Sequence, residues 1–173
     1  MKKLLLFIPL LFSILACNFA VSKFPTPTAQ VMLPSTSEPS SDFTATITGA
    51  LSYPSEFLPP MRVVAFSLTD KKAYFVDTAK DQGQFSLQVP AGTYYLVSYP
   101  YEGITGNTGT VDSYTLGGGP FAGGYTQMVP CGLTANCEDH TLLPIDVTDG
   151  QTLTANPGDW YAPEGTFPLM PNP

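Results

Sequence analysis

Histidine is nearly missing from this chain, with His140 the only one in 173 residues. Any Ser-His-Asp or Cys-His mechanism would have to rest on that single imidazole. Basic residues are scarce as well, 7 Lys and Arg against 14 Asp and Glu, for a net charge of −7. Such a balance disfavours phosphate backbones and anionic headgroups, so nucleic acid is not an expected partner. Long apolar runs are absent: the longest, Leu4 to Ala16, has thirteen residues and is interrupted by Pro9 and Ser13. A helix crossing the hydrocarbon core needs about 20. Sustained helical periodicity is lacking too, and neither G-x-x-x-x-G-K-[ST], G-x-S-x-G nor H-E-x-x-H occurs. Gly117 to Ala122 formally spells G-x-G-x-x-A, but Pro120 sits inside it and no βαβ pattern surrounds it, so a dinucleotide would find no helix terminus there.

What the N-terminus does contain is a positive start at Lys2 and Lys3 followed by that short apolar run, the anatomy of a signal peptide. The run ends in Ile14-Leu15-Ala16-Cys17, which resembles the lipobox of bacterial lipoproteins: aliphatic, then small, then cysteine. Leu15 is bulkier than the family's usual residue. The resemblance implies cleavage between Ala16 and Cys17, transfer of a diacylglyceryl group to the Cys17 sulfur, and acylation of the new amine by a fatty acid such as palmitate. Two or three acyl chains on one residue hold a protein to a membrane, where one chain binds only marginally. Expected are a signal peptide at 1–16, a lipidated Cys17 opening a linker at 17–42, and a lipid-anchored location in the bacterial cell envelope, facing the extracytoplasmic side. Rich in Pro, Ser and Thr, residues 18–42 would span roughly 25 to 30 Å as a flexible coil and up to about 75 Å as a polyproline-like chain.

With Cys17 assigned to lipid, the other two of the three cysteines form a pair, Cys131 and Cys137, in "PCGLTANCEDH". Outside the cytoplasm such a pair reads as a disulfide. Zinc held by Cys131, Cys137, Asp139 and His140 is the rival reading, weakened by a spacing unlike the paired C-x-x-C of structural sites. No metal or other cofactor is expected. Calcium through Asp139, Asp146, Asp149 and Asp159 lacks the twelve-residue loop that such sites use.

Residues 43–173 are long enough for one domain with a real core. Fifteen glycines and eighteen prolines with only 12% charged residues point to a turn-rich β protein. Phe43, Ala45, Ile47, Gly49 and Leu51 alternate with Thr44, Thr46, Thr48 and Ser52, the period of a half-buried strand. Further strands are expected at 61–68, 73–78, 83–89 and 93–99. Near the end, Leu143, Ile145 and Val147 run through Thr148-Asp149-Gly150 into "QTLTA", a hairpin signal. Together these predict an all-β fold, a single antiparallel β-sandwich of about seven strands. The stretches "ITGALSYPSEFLPPMRVVAF" and "GQFSLQVPAGTYYLVSY" resemble carboxypeptidase regulatory-like domains over residues 44–99, through Gly49, Phe85, Leu87, Val89, Pro90, Gly92, Tyr94 and Leu96. That resemblance implies a prealbumin-like, Ig-like sandwich with a non-catalytic accessory or binding role. A glycine-rich insertion at 100–140 departs from the family and is too long for a plain connector.

Among the aromatics, Tyr101, Phe121, Tyr125, Trp160 and Tyr161 fall in expected loops, where an amphipathic ring can stack on a sugar or a partner chain. They are the candidate ligand-binding residues, with carbohydrate or an envelope protein as partner and no catalysis. The alternative from another class is an envelope-associated glycoside hydrolase using two of Glu56, Asp77, Glu102, Asp112 and Asp159, none singled out by spacing.

Overall fold

The computed structural model describes residues 44–102, 106–115, 117 and 121–172. The expected signal peptide, the Ala16–Cys17 cleavage and lipidation site and the linker through 42 lie outside the described residues. Among those residues the protein is all-β, with nine short strands in two sheets and one four-residue helix, α1 at Met128–Cys131. No helix among them is long and apolar enough to cross a membrane.

Five strands sit where the sequence places them: β1 Ala45–Ala50, β2 Met61–Ser67, β3 Ala73–Thr78, β4 Gln84–Val89 and β5 Gly92–Pro100. In β4 the period is complete, with Phe85, Leu87 and Val89 buried and Gln84, Ser86 and Gln88 exposed. Four strands follow: β6 Thr108–Val111, β7 Gly123–Gly124, β8 Ile145–Val147 and β9 Thr152–Thr154. The smaller sheet has the order β4-β1-β9, and the larger runs β6-β3-β2-β5-β7 with β8 also on β5. Ala45, Ile47, Phe85, Leu87 and Val89 from the first sheet meet Met61, Val63, Ala65, Tyr94 and Leu96 from the second in the main core. Each Val, Leu, Ile, Phe or Met among them contributes about 1.5–3 kcal/mol through burial.

Strand β2 has no alternation of burial, because all seven of its residues are buried. Its second face, with Val64 and Phe66, packs with Phe75, Val97 and Tyr99 against Ala122 and Phe167 in a separate cluster. The larger sheet is thus covered on both sides, which accounts for the unbroken apolar run "VVAF". Its outer cover includes Val111, Tyr114 and Ala122 together with the C-terminal tail, fastened where the Tyr99 hydroxyl donates to Pro168 O (2.8 Å) and Leu169 N to Thr115 O (3.1 Å).

The insertion at 100–140 carries β6, β7 and α1. Two expectations are corrected. The sandwich is not wholly antiparallel, since β9 runs parallel to β1. The terminal hairpin does not form: β8 pairs with β5 and β9 with β1, so the chain changes sheets at 148–151. The turn chemistry explains this last point. A two-residue hairpin of the Asp-Gly kind needs positive φ at both central residues. Gly150 has φ +73° but Asp149 does not have a positive φ, and the turn closes with Gln151 N on Thr148 O at 3.0 Å. That geometry splays the strands apart.

Burial also shifts the titration of the core tyrosines. Tyr94, whose hydroxyl donates to Pro90 O (2.8 Å), and Tyr99 are both pushed well above their ordinary value by desolvation, with Tyr74 and Asp70 adding repulsion at Tyr94. A raised folded-state value means these groups favour folding fully below the unfolded value of about 10. Above it the unfolded chain loses its phenolic protons first, and stability falls. Denaturant midpoints are therefore expected to drop steadily from about pH 9 to about pH 11, with Tyr94 and Tyr99 still silent in the phenolate absorbance of the folded protein.

Candidate aromatic groove

Between β9 and the tail, the chain passes Pro157 to Tyr161 alongside β7. Asp159 pairs with Gly124 in both directions, N to O at 3.0 Å and O to N at 3.1 Å. This fixes the neighbouring Trp160 against bare backbone. A Cβ on Gly123 would lie 2.5 Å from Trp160 Cε2, and one on Gly124 would overlap the Phe167 ring. The two glycines are packing sites for rings.

Trp160 is 5% exposed and sits edge-on to Tyr53 (centroids 5.1 Å, 82°), while Phe121 tilts over it at 5.2 Å and 39°. Phe121 and Tyr161 remain open to solvent at 54% and 72%. With Pro163, Glu164 and Phe167 these rings line a groove of about 420 Å³. The indole Nε1 is the single buried side-chain nitrogen or oxygen without a hydrogen-bond partner among the described residues. An orphaned donor of this kind costs about 1–3 kcal/mol unless water or a ligand supplies an acceptor.

Behind the rings, the Asp159 carboxylate is fully buried. Its Oδ2 accepts from Thr126 Oγ1 (2.7 Å) and lies 2.8 Å from His140 Nδ1, and its Oδ1 accepts from Tyr161 N (3.2 Å). His140 thereby ties the 126–142 segment to the groove's backbone. Cys131 and Cys137 are joined in a disulfide within that segment.

Of the five predicted aromatics, Phe121, Trp160 and Tyr161 come together and the other two do not line the groove. Tyr125 is half-buried against the main core. Tyr101 stacks on the Arg62 guanidinium, 3.9 Å from ring centroid to Cζ, with Phe75 on the other side at 4.0 Å. Arg62 is fully buried and bidentate to Asp77, Nε to Oδ1 at 2.8 Å and Nη2 to Oδ2 at 2.9 Å, and donates from Nη1 to Pro171 O at 3.0 Å.

The acids weighed as a hydrolytic pair divide by environment. Asp77 and Asp159 are buried and committed to Arg62 and to His140 with Thr126, while Glu56, Glu102 and Asp112 are exposed. The four aspartates considered for calcium are separately engaged, Asp139 with Thr141 N, Asp146 with Thr93 and Asp149 with Thr44. Among the described residues no three His, Cys, Asp or Glu side chains converge, and the bridged cysteines offer no thiolate to zinc.

Glu164 and Phe167 complete the groove and carried no sequence signal, since each reaches it only through the path of the tail. No protein-family model, curated protein or solved structure matches the chain.

Proposed function

We propose that this protein is an envelope lipoprotein in which a tether presents a non-catalytic, carboxypeptidase regulatory-like β-sandwich to the extracytoplasmic side, and that the sandwich binds carbohydrate through its aromatic groove. One observation carries the binding role: Phe121 and Tyr161 are held open to solvent beside Trp160 on a glycine-fitted frame. Stacking on a sugar face needs rings bare to solvent and grouped in one groove, as these are. A glycan array probed with the detergent-solubilised protein tests the reading. Binding to a defined set of glycans, weakened at least about tenfold in Phe121→Ala and Tyr161→Ala as expected for central aromatic anchors, supports it; silence across the array removes it.

Support for the anchor comes from the charged start, the run of the right length and the Ala16–Cys17 junction. Cys17→Ser is expected to move the protein from the detergent phase to the aqueous phase in a phase-separation assay. Unchanged recovery in the detergent phase refutes lipidation at Cys17.

A further inference from the structure

The charges around the groove narrow the class of sugar, on the basis of the carbohydrate reading above. Glu164 is the one charged side chain among the described residues lining it, and it is exposed. Among the described residues no lysine, arginine or histidine lines the groove beside it, and the chain as a whole carries −7. A uronic acid or a phosphorylated sugar placed there would meet a carboxylate with no counter-charge. A cation meets the opposite situation on two counts. The faces of Phe121 and Tyr161 attract positive charge through the ring quadrupole, and a carboxylate accepts from an ammonium group in a charge-assisted hydrogen bond.

We propose that the groove selects saccharides carrying a free amine, glucosamine-type residues, over their N-acetylated and uronic counterparts. The ring stacks on the exposed aromatics and its ammonium pairs with Glu164.

Calorimetric titration of the solubilised full-length protein tests this with three probes: glucosamine tetramer, N-acetylglucosamine tetramer and galacturonate tetramer, at a pH where the amine is protonated. The glucosamine tetramer is expected to bind at least about tenfold more tightly than the N-acetylated one, and Glu164→Gln to erase that difference, as expected for loss of a charge-assisted pair. Phe121→Ala and Tyr161→Ala should weaken binding of the amine probe as well, which separates the groove from diffuse attraction to an acidic surface. Equal affinity for the amine and N-acetyl probes, tighter binding of galacturonate, an amine preference that persists in Glu164→Gln, or amine binding unaffected by both aromatic substitutions overturns the proposal while leaving the carbohydrate reading standing. No binding of any probe, together with a silent glycan array, removes both.

Discussion

Replacing Arg62 with alanine should lower folding stability by about 3–5 kcal/mol, a large part of the roughly 5–15 kcal/mol that holds a domain together. The size follows from burial. Asp77 is 3% exposed, and without its bidentate partner a carboxylate would remain in the interior with its charge uncompensated. The guanidinium reflects the same balance: burial opposes its charge, but hydrogen bonding and attraction to Asp77 outweigh that, with Tyr101 adding to the effect, so its affinity for the proton rises above the ordinary value. Losing Arg62 also frees Pro171 O and unstacks Phe75 and Tyr101, loosening the tail over the larger sheet. Two readouts check the account, a urea midpoint and limited proteolysis after the tail. The double replacement Arg62→Met with Asp77→Leu should recover most of the loss, because removing both charges leaves nothing unpaired. A single variant that costs less than about 1 kcal/mol, the range of an exposed pair, would show that this contact is solvated.

The second large effect is expected at Asp159. Asp159→Ala removes the acceptor of Thr126 Oγ1, the partner of His140 Nδ1 and the acceptor of Tyr161 N together. The expected cost is about 3 kcal/mol, from buried donors left without partners. The proposed carbohydrate binding should fall with it, since the same carboxylate holds the Tyr161 backbone. Asp159→Asn separates the roles: its amide oxygen can still accept from Tyr161 N, while the ionic partner of His140 is gone. That variant should keep more binding than stability. Equal binding and stability in Asp159→Ala would dissociate the buried pair from the groove.

Period-two alternation made β1, β3, β4 and β5 readable because each of those segments is bordered by clear turns. Lys71, at φ +62° between β2 and β3, marks one of them. What misled was chemistry that depends on distant partners. Asp149-Gly150 looks like a hairpin locally, yet its φ pattern and the pull of β1 and β5 send the two flanking strands to different sheets. Gly123 and Gly124 read as loop, and nothing nearby in sequence announces that Trp160 and Phe167 need them bare. For the same reason three of the five candidate rings line the groove and two do not: Tyr101 lies next to β5 and is captured by the buried Arg62, a residue whose burial no local pattern reveals. Asp159 stood out only as one acid among many. Its role emerges from Thr126 and His140, 33 and 19 residues away.

Trp160 is the only tryptophan in the chain, so the emission of the whole protein reports on the wall of the groove. A fluorescence titration with the sugar that scores highest on the array is the most direct measurement. Saturable change in Trp160 emission, with a midpoint equal to the calorimetric one and displaced at least about tenfold in Tyr161→Ala as for a hot-spot ring, is the result expected. Saturating ligand that leaves the emission untouched, or a midpoint identical in Tyr161→Ala, would place binding elsewhere and contradict the groove as the site.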